Sequence, residues 1–361
     1  MKKKTQSTQT SNAVIGIDLG DKKHAVCLVG KTGEVEKEFE IPNHKDSLRK
    51  LAKTYPGARV AIEVGTHSPW IDRLLKAEGM AVTVANARRV RAIYENERKS
   101  DRRDAAMLAK LLRIDPELLH PVHHRSERTQ RDLMQIKLRD TLVRQRANIV
   151  LSIRGLLKSM GERMPLVSTP AFARRVRTCL EDTPELLAAV EPGLKAIDGL
   201  NEQIKHYDRA IADAARTDYP EAQHLQQIDG VGPVTSLCFV LSVEDPNRFP
   251  KARDVGAWLG LVPKRDQSGE TDRELPVSKA GNRYLRSLLV QCSQYLLGHY
   301  GPDCDLRRHG LKLAAKGGRS AKKKAIIAVA RKLAVLMLAM WQDRSDYVAL
   351  KNSENPSLQA A

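Results

Sequence analysis

Four acidic residues in the first third of the chain are spaced so that their side chains could meet at one point. Asp18 ends the apolar run that starts at Val14, and Glu63 ends a second apolar run, so each is expected at the end of a buried strand. Asp101 and Asp104 open a helical segment three residues apart and share one face of it. Carboxylates crowded together in a basic protein are costly unless a cation joins them. The pattern predicts a site for Mg²⁺, with Mn²⁺ as an alternative, of the kind that metal-dependent nucleases use.

A serine in the last third of the chain is surrounded by cationic residues. Ser278 comes just before a predicted helix whose first turns carry Lys279, Arg283 and Arg286. One hypothesis is that Ser278 caps this helix, since serine is a preferred N-cap residue. The other is that its hydroxyl attacks a phosphodiester, because such a nucleophile needs cations around the scissile phosphate. Taken without any family resemblance, the residues favour the cap.

Residues 12–125 predict an α/β domain that would position the four acids. Three strands in a meander are followed by helix, strand, helix, strand and helix, which is the element order of a ribonuclease H-like fold. In that fold the first strand lies centrally and the fourth lies beside it. By analogy with the fold, Asp18 and Glu63 would be neighbours at their strand ends.

Two helical regions are predicted after this domain. Residues 126–215 carry two apolar seams with near-heptad steps, which an antiparallel hairpin and an intermolecular coiled coil would both satisfy. The first seam consists of Leu138, Leu142, Ile149, Ile153, Leu156 and Met160. Residues 216–345 predict a mainly helical domain. Its turn at Gly230 and Gly232 resembles a helix-hairpin-helix, which presents backbone N–H groups to a DNA phosphate.

The composition indicates a nucleic-acid partner. The chain has 361 residues and a formal net charge of +18, an excess that suits a polyanion. A basic loop supplies further candidate phosphate contacts at Arg319, Lys322 and Lys323. Residues 1–11 and 346–361 are expected to be disordered tails.

The cysteines and the hydropathy pattern indicate a cytoplasmic protein. The five cysteines are scattered and lack C-x-x-C spacing, which argues against disulfides and zinc and fits a reducing compartment. No apolar run is expected to be long enough to span a bilayer. We therefore expect a cytoplasmic protein with no membrane partner.

Six motifs, in order along nearly the whole chain, resemble the DEDD transposases of the insertion sequence 110/1111 family. They are Gly-Ile-Asp-Leu-Gly (16–20), Ala-Ile-Glu (61–63), Ser-Asp-Arg-Arg-Asp-Ala (100–105), Ile-Asp-Gly-Val-Gly-Pro (228–233), Trp-Leu-Gly-Leu-Val-Pro (258–263) and Ser-Lys-Ala-Gly-Asn-Arg-Tyr-Leu-Arg (278–286). Each motif is modest alone, but the ordered set is specific. The resemblance implies a RuvC-like N-terminal domain, a coiled-coil segment and a C-terminal transposase domain.

The resemblance also implies roles for particular residues. Asp18, Glu63, Asp101 and Asp104 would bind the metal, and Ser278 would attack DNA and hold it as a phosphoserine ester. Members of this family are recombinases that use a structured RNA from their own element to pair with donor and target DNA. A tetramer is implied as well, since two duplexes must be cut and rejoined.

Other functions remain open at this stage. A RuvC-like nuclease or junction resolvase would share the four acids but would need no covalent intermediate. A non-enzymatic DNA-binding protein would tolerate the loss of Asp18. The motif at 16–20 also resembles the first phosphate motif of actin-like ATPases and sugar kinases, but the second phosphate loop and the adenosine motif of those folds are missing from the sequence.

Overall fold

The chain forms two compact units, Met1–Ser126 and Glu127–Ala361. A computed structural model describes residues 13–86, 90, 100–268 and 271–352. The predicted N-terminal tail of residues 1–11 lies outside the described residues. Each unit is described separately below.

The N-terminal unit is built on one mixed sheet. Its strands are β1 (Val14–Leu19), β2 (Lys23–Val29), β3 (Val35–Pro42), β4 (Arg59–Glu63) and β5 (Ala81–Ala85), and its helices are α1 (Lys45–Thr54), α2 (Ser68–Ala77) and α3 (Asp101–Ile114). The strand order is β3-β2-β1-β4-β5, with β1 antiparallel to β2 and parallel to β4. The prediction of a central first strand with the fourth beside it is confirmed.

Both faces of this sheet are covered, which explains why β1 is apolar from Val14 to Ile17. On one face Ile15 and Ile17 pack in a core that includes Leu48 of α1 and Leu75 of α2. On the other face Val14 belongs to the core that α3 forms. A mixed α/β unit with a central sheet and helices on both faces results.

The second unit begins with long helices. They are α4 (Glu127–Ser159), α5 (Phe172–Cys179) and α6 (Pro184–Thr217). α4 and α6 pack together along their length, where Arg146 Nη1 donates to Asn201 Oδ1 at 2.7 Å. The seam predicted on α4 needs a correction, because Ile153 is buried in the core between these helices whereas Leu138, Leu156 and Met160 are exposed. The helix therefore carries two apolar faces.

The C-terminal core is mainly helical, as predicted. Its elements are α7 (Pro220–Leu225), α8 (Pro233–Val243), α9 (Asp254–Trp258), β6 (Pro263–Ser268), β7 (Thr271–Val277), α10 (Arg283–Leu297), α11 (Asp305–Ala315) and α12 (Ala321–Asp343). The antiparallel ribbon of β6 and β7 was not predicted. The predicted boundary between 215 and 216 falls inside α6, and the helical segment belongs to the same compact unit as the core that follows it.

Two sequence expectations about the C-terminal region are corrected. By length and composition, α12 could cross a membrane, contrary to the expectation for the whole chain. Val329, Leu333 and Met337 on this helix are buried in the C-terminal core, as in the core helix of a globular domain. Residues 346–352 of the predicted tail are ordered against this core. The Tyr347 amide donates to Gln227 Oε1 at 2.9 Å, and the Asp305 amide donates to Ala349 O at 2.8 Å. Residues 353–361 lie outside the described part of the chain.

Candidate active site

Two of the four predicted acids stand side by side at one edge of the sheet. β1 and β4 are parallel and pair Ile17 with Ile62, so the next residue on each strand is Asp18 or Glu63. The carboxyl ends of adjacent parallel strands meet at the same edge. Both side chains are partly buried there. The strand pairing thus brings together two acids that are far apart in sequence.

The other two acids lie in the first turn of α3. Ser100 caps this helix, and its hydroxyl accepts a hydrogen bond from the Arg103 amide at 3.4 Å. A helix N-terminus stabilises negative charge, which favours carboxylates in this turn. Asp104 is buried and Asp101 is exposed.

Gly16 is what allows α3 to lie directly on β1. A Cβ atom at Gly16 would stand 1.9 Å from the carbonyl oxygen of Ala105 and 2.7 Å from the amide nitrogen of Ala109, so any side chain there would collide with the helix backbone. Gly16 precedes Asp18 by two residues, and Ala105 follows Asp104 directly. The close contact therefore fixes the first turn of α3 near the carboxyl end of β1.

Asp18 lies within electrostatic reach of the other three acids. The pKa of Asp18 is raised from 3.8 to about 6, first by burial and then by the negative charges of Asp101, Asp104 and Glu63, while a hydrogen bond from the Leu19 backbone opposes the rise. Three carboxylates from two other elements act on one side chain. This is the pattern that like charges in a shared site produce.

The chemistry of this cluster fits a divalent cation. Four oxygen donors with excess negative charge are what hard cations such as Mg²⁺ require. Among the described residues, no group of three or more His, Cys, Asp or Glu side chains is already arranged to hold a metal. The fit therefore rests on the donor set and on the repulsion at Asp18, which a cation would relieve.

Ser278 does not cap the helix that follows it. α10 begins at Arg283, and its N-cap is Asn282, whose Oδ1 accepts from the amides of Tyr284 and Leu285, both at 3.1 Å. The Ser278 hydroxyl is four residues earlier and accepts only a long 3.5 Å contact from the Ala280 amide. The capping role favoured by the sequence alone is therefore wrong, because an asparagine closer to the helix performs it.

The loop that carries Ser278 lies next to cationic side chains and a small cavity. A cavity of about 420 Å³ is lined by residues that include Lys279, Arg283 and Arg286. Lys279 and Arg283 are exposed. Lys279 has a φ of 53°, in the left-handed region that residues with a side chain rarely adopt. Ser278 is partly buried, and the exposed cations Lys279 and Arg283 follow it one and five residues later in the chain.

Comparisons with known proteins place these two sites in one family. A DEDD-type transposase family model matches residues 15–161, which contain the four acids. A second model, described as transposase of the IS116/IS110/IS902 family, matches residues 222–306, which contain Ser278. The chain belongs to this transposase family.

Curated relatives agree over most of the chain. The transposase for insertion sequence element IS1111A from Coxiella burnetii is 26% identical over 96% of this chain and 94% of its own length. The transposase for insertion sequence element IS1328 from Yersinia enterocolitica is 28% identical over 78% of this chain and 83% of its own length. This chain is accordingly a DNA transposase, an enzyme with DNA substrates, and its DEDD domain is of a type that points to divalent-metal dependence.

The predicted helix-hairpin-helix of the transposase has a structural explanation at Gly230. This glycine has a φ of 79°, and a Cβ atom there would stand 2.8 Å from the ring of Tyr295. Packing against α10 therefore accounts for Gly230 without a bound phosphate. Gly232 differs, since it is the N-cap residue of α8 and has no atom within 4 Å of its Cβ position. Gly232 is thus the better of the two candidates for a backbone contact with DNA.

The cationic side chains at the start of α12 are accessible to solvent. Arg319, Lys322 and Lys323 are all exposed. The N-cap residue Ser320 makes no side-chain capping bond, and the first turn of α12 has no acid. A helix start with exposed cations and without an acidic neighbour suits a phosphate ligand.

Two residues near Ser278 have contacts that the sequence did not reveal. Asn282 caps α10 and also donates from Nδ2 to Ser242 Oγ at 3.0 Å, which ties the loop to α8. Arg286 was expected to contact nucleic acid, but its Nη1 donates to two backbone carbonyls of the protein. Asparagine immediately before an apolar helix was a usable capping signal. The carbonyl partners of Arg286 had no sequence signal.

Proposed function

We propose that this transposase cuts and rejoins donor and target DNA through a covalent bond between DNA and Ser278, with metal bound at the four acids. The observation that carries the proposal is the position of Ser278. It does not cap α10, it directly precedes Lys279, whose backbone is strained, and the exposed Arg283 follows in the first turn of α10. Residues in sparsely populated backbone conformations cluster at functional sites.

Asp18, Glu63, Asp101 and Asp104 would hold the metal, Mg²⁺ or Mn²⁺. The bound ion would supply Lewis-acid stabilisation of charge on the reacting phosphate oxygens. The protein supplies the rigid frame, because parallel pairing fixes the first two acids and α3 fixes the other two. The charge of Asp18 is costly without a cation, since burial and three carboxylates act on it together.

The proposed chemical step is a transesterification. Ser278 Oγ loses its proton to solvent and forms a bond to phosphorus, while the bond from phosphorus to the deoxyribose oxygen breaks and that oxygen takes up a proton. Attack by a deoxyribose hydroxyl of another strand reverses the step and frees Ser278. One phosphodiester is exchanged for another, so no external energy source is needed. Lys279 and Arg283 would stabilise charge on the phosphate.

We further propose a structured guide RNA from the transposase's own element as a partner. The net charge of +18 supports binding of more than one polyanion. Aromatic residues make up only 4% of the chain, which leaves little capacity for reading unpaired bases by stacking. Pairing between RNA and DNA would then supply sequence selection, while Gly232 and the loop at Arg319, Lys322 and Lys323 contact phosphates.

We also propose that the transposase self-associates into a tetramer through α4. Apolar residues follow one narrow face of this helix at steps of four and seven, which is coiled-coil spacing. They are Met134, Leu138, Leu142 and Leu156, with Ile149 on the same face but packed against the core that α4 shares with α5 and α6, and with Met160 directly after the helix end. Leu138, Leu156 and Met160 keep 51%, 63% and 67% of their surface exposed. A second copy of the helix would bury this face, and two such dimers would handle two duplexes.

The test of the catalytic proposal is a covalent-adduct assay. The protein with its element's RNA is mixed with labelled donor DNA and Mg²⁺, denatured in detergent and separated by electrophoresis. We expect an adduct in the wild type and in Ser159→Ala, an exposed serine at the end of α4, but none in Ser278→Ala or Asp18→Asn. Cleaved DNA without adduct, unchanged in Ser278→Ala, would instead establish a hydrolytic nuclease or resolvase.

A further inference from the structure

One arginine ties the serine loop to a neighbouring turn. Arg286 lies on the first turns of α10, and its Nη1 donates to Leu259 O at 2.8 Å and to Ala280 O at 2.7 Å. Leu259 is the C-cap residue of α9, and Ala280 is two residues after Ser278. The guanidinium thus satisfies a terminal carbonyl of one helix and a carbonyl of the loop with a single nitrogen.

The two backbone segments that Arg286 joins are already in direct contact. Gly260 has a φ of 68°, and a Cβ atom there would stand 2.3 Å from the Ala280 amide nitrogen. Gly281 has a φ of 70°, and a Cβ atom there would stand 2.0 Å from the Trp258 carbonyl oxygen. The Lys279 amide also donates to Gly260 O at 3.1 Å. Glycines on both segments allow this approach. Arg286 on α10 then holds the two segments together through its hydrogen bonds.

The setting of Arg286 differs from that of a phosphate-binding arginine. Its side chain is half-buried, and burial followed by the charge of Arg283 lowers the pKa of its guanidinium. A cation near a helix N-terminus also opposes the helix dipole. Hydrogen bonds to two carbonyls offset these costs. Arg283 is exposed to solvent and needs no such compensation. The two arginines, one turn apart, therefore have different surroundings.

We propose that Arg286 is a positioning residue that holds the Ser278 loop in the conformation for attack, and that Arg283 is the residue that contacts the phosphate. The role assigned to Arg286 rests on the proposed nucleophile. Lys279 has a strained φ between Ser278 and Ala280, so the loop would relax without its tether. Misplacement of a nucleophile by about 1 Å costs on the order of 100-fold in rate.

The experiment compares Arg286→Gln with Arg283→Gln in the full-length protein bound to its RNA. Adduct formation is measured at saturating DNA, and DNA affinity is measured across a salt series. We expect Arg286→Gln to lower the adduct rate about 100-fold with DNA affinity and its salt slope unchanged. We expect Arg283→Gln to weaken affinity and to reduce the salt slope by about 1. Loss of affinity with a reduced slope in Arg286→Gln would overturn the proposal.

Two further measurements keep the result decisive. Hydrogen exchange of the Ser278 and Lys279 amides, which donate to Val262 O and Gly260 O, should accelerate in Arg286→Gln and stay unchanged in Arg283→Gln. If Arg286→Gln does not fold, Arg286→Lys retains a donor and should show an intermediate adduct rate. A rate equal to that of the wild type would refute the role.

The failure of the underlying proposal would be visible separately. If the wild type forms no adduct and Ser278→Ala still cleaves DNA, Ser278 is not the nucleophile, and Arg286 then loses its catalytic role. Loop exchange that is identical in Arg286→Gln and the wild type would refute the tether even if Ser278 is the nucleophile. The two hypotheses can thus fail independently.

Discussion

Removing the charge of Asp18 should stabilise the metal-free protein while abolishing DNA cleavage. The pKa of Asp18 is raised from 3.8 to about 6 by burial and by three neighbouring carboxylates. At about 1.4 kcal/mol for each pKa unit, this corresponds to an upper limit of about 3 kcal/mol at neutral pH. Because the side chain is only partly buried, solvent screening reduces the expected gain in Asp18→Asn to about 1–2 kcal/mol.

The sign of the pH dependence follows from proton binding. Between pH 4 and pH 6 the folded state holds a proton on Asp18 that the unfolded state has lost, so wild-type stability falls as pH rises through this window. Asp18→Asn has no carboxyl group at this position, so its stability does not fall in this way as the pH rises. The variant should therefore be more stable than the wild type above pH 6, and the difference should vanish below about pH 4.

The assay is urea unfolding in EDTA at pH 4 and pH 7.5, with pulsed hydrogen exchange of peptides from β1 to report on the N-terminal unit alone. Glu117→Gln, an exposed acid in the same unit, is the matched control and should show little change. Added Mg²⁺ should stabilise the wild type but not Asp18→Asn. Equal stability of wild type and Asp18→Asn at pH 7.5 without metal would refute the reasoning that the four carboxylates repel one another.

Three further predictions test other parts of the account. Gly16→Ala should destabilise the N-terminal unit by about 2–3 kcal/mol and lower DNA cleavage, because a Cβ atom there collides with α3. Gly65→Ala is the control, since the space around Gly65 is open, and it should leave cleavage unchanged. Urea unfolding measures the stability of both variants, and cleavage rates measure their activity. Leu156→Glu should lower the mass found by light scattering without loss of helicity, while Ser159→Glu should not, and an unchanged mass would exclude the α4 interface. Lys322→Gln should reduce the salt slope of nucleic-acid binding by about 1, and an unchanged slope would remove this residue from the contact surface.

The strand ends that carry Asp18 and Glu63 could be predicted because their signals are local. Asp18 and Glu63 follow short apolar runs, and strand ends are readable from such runs. The neighbouring positions of these strands came from analogy with a known fold, and the pairing of Ile17 with Ile62 confirms it. The role of Gly16 was not predicted, since its partner on α3 is about ninety residues away and only the folded chain brings them together.

The contacts around Ser278 were less predictable, because they join residues that are brought together only by folding. The sequence alone favoured Ser278 as the cap, but asparagine is an equally good N-cap residue and Asn282 performs this role. Arg286 looked like a phosphate contact because it is a cation in a basic segment, yet one of its partners is the carbonyl of Leu259, 27 residues earlier. Every residue has a backbone carbonyl, so the residue type of the partner does not reveal such a contact. The ribbon of β6 and β7 was hidden by polar side chains that lack a period-two apolar pattern.

The most direct test of the account is to identify the atom that holds the DNA. The detergent-denatured adduct is digested with protease and nuclease, and the remaining nucleotide is located on the peptide by mass spectrometry. We expect a nucleotide joined through phosphate to Ser278, formed only when divalent metal and an intact Asp18 are present. DNA that is cut and rejoined while every copy of Ser278 stays unmodified, or a nucleotide found on another residue, would contradict it.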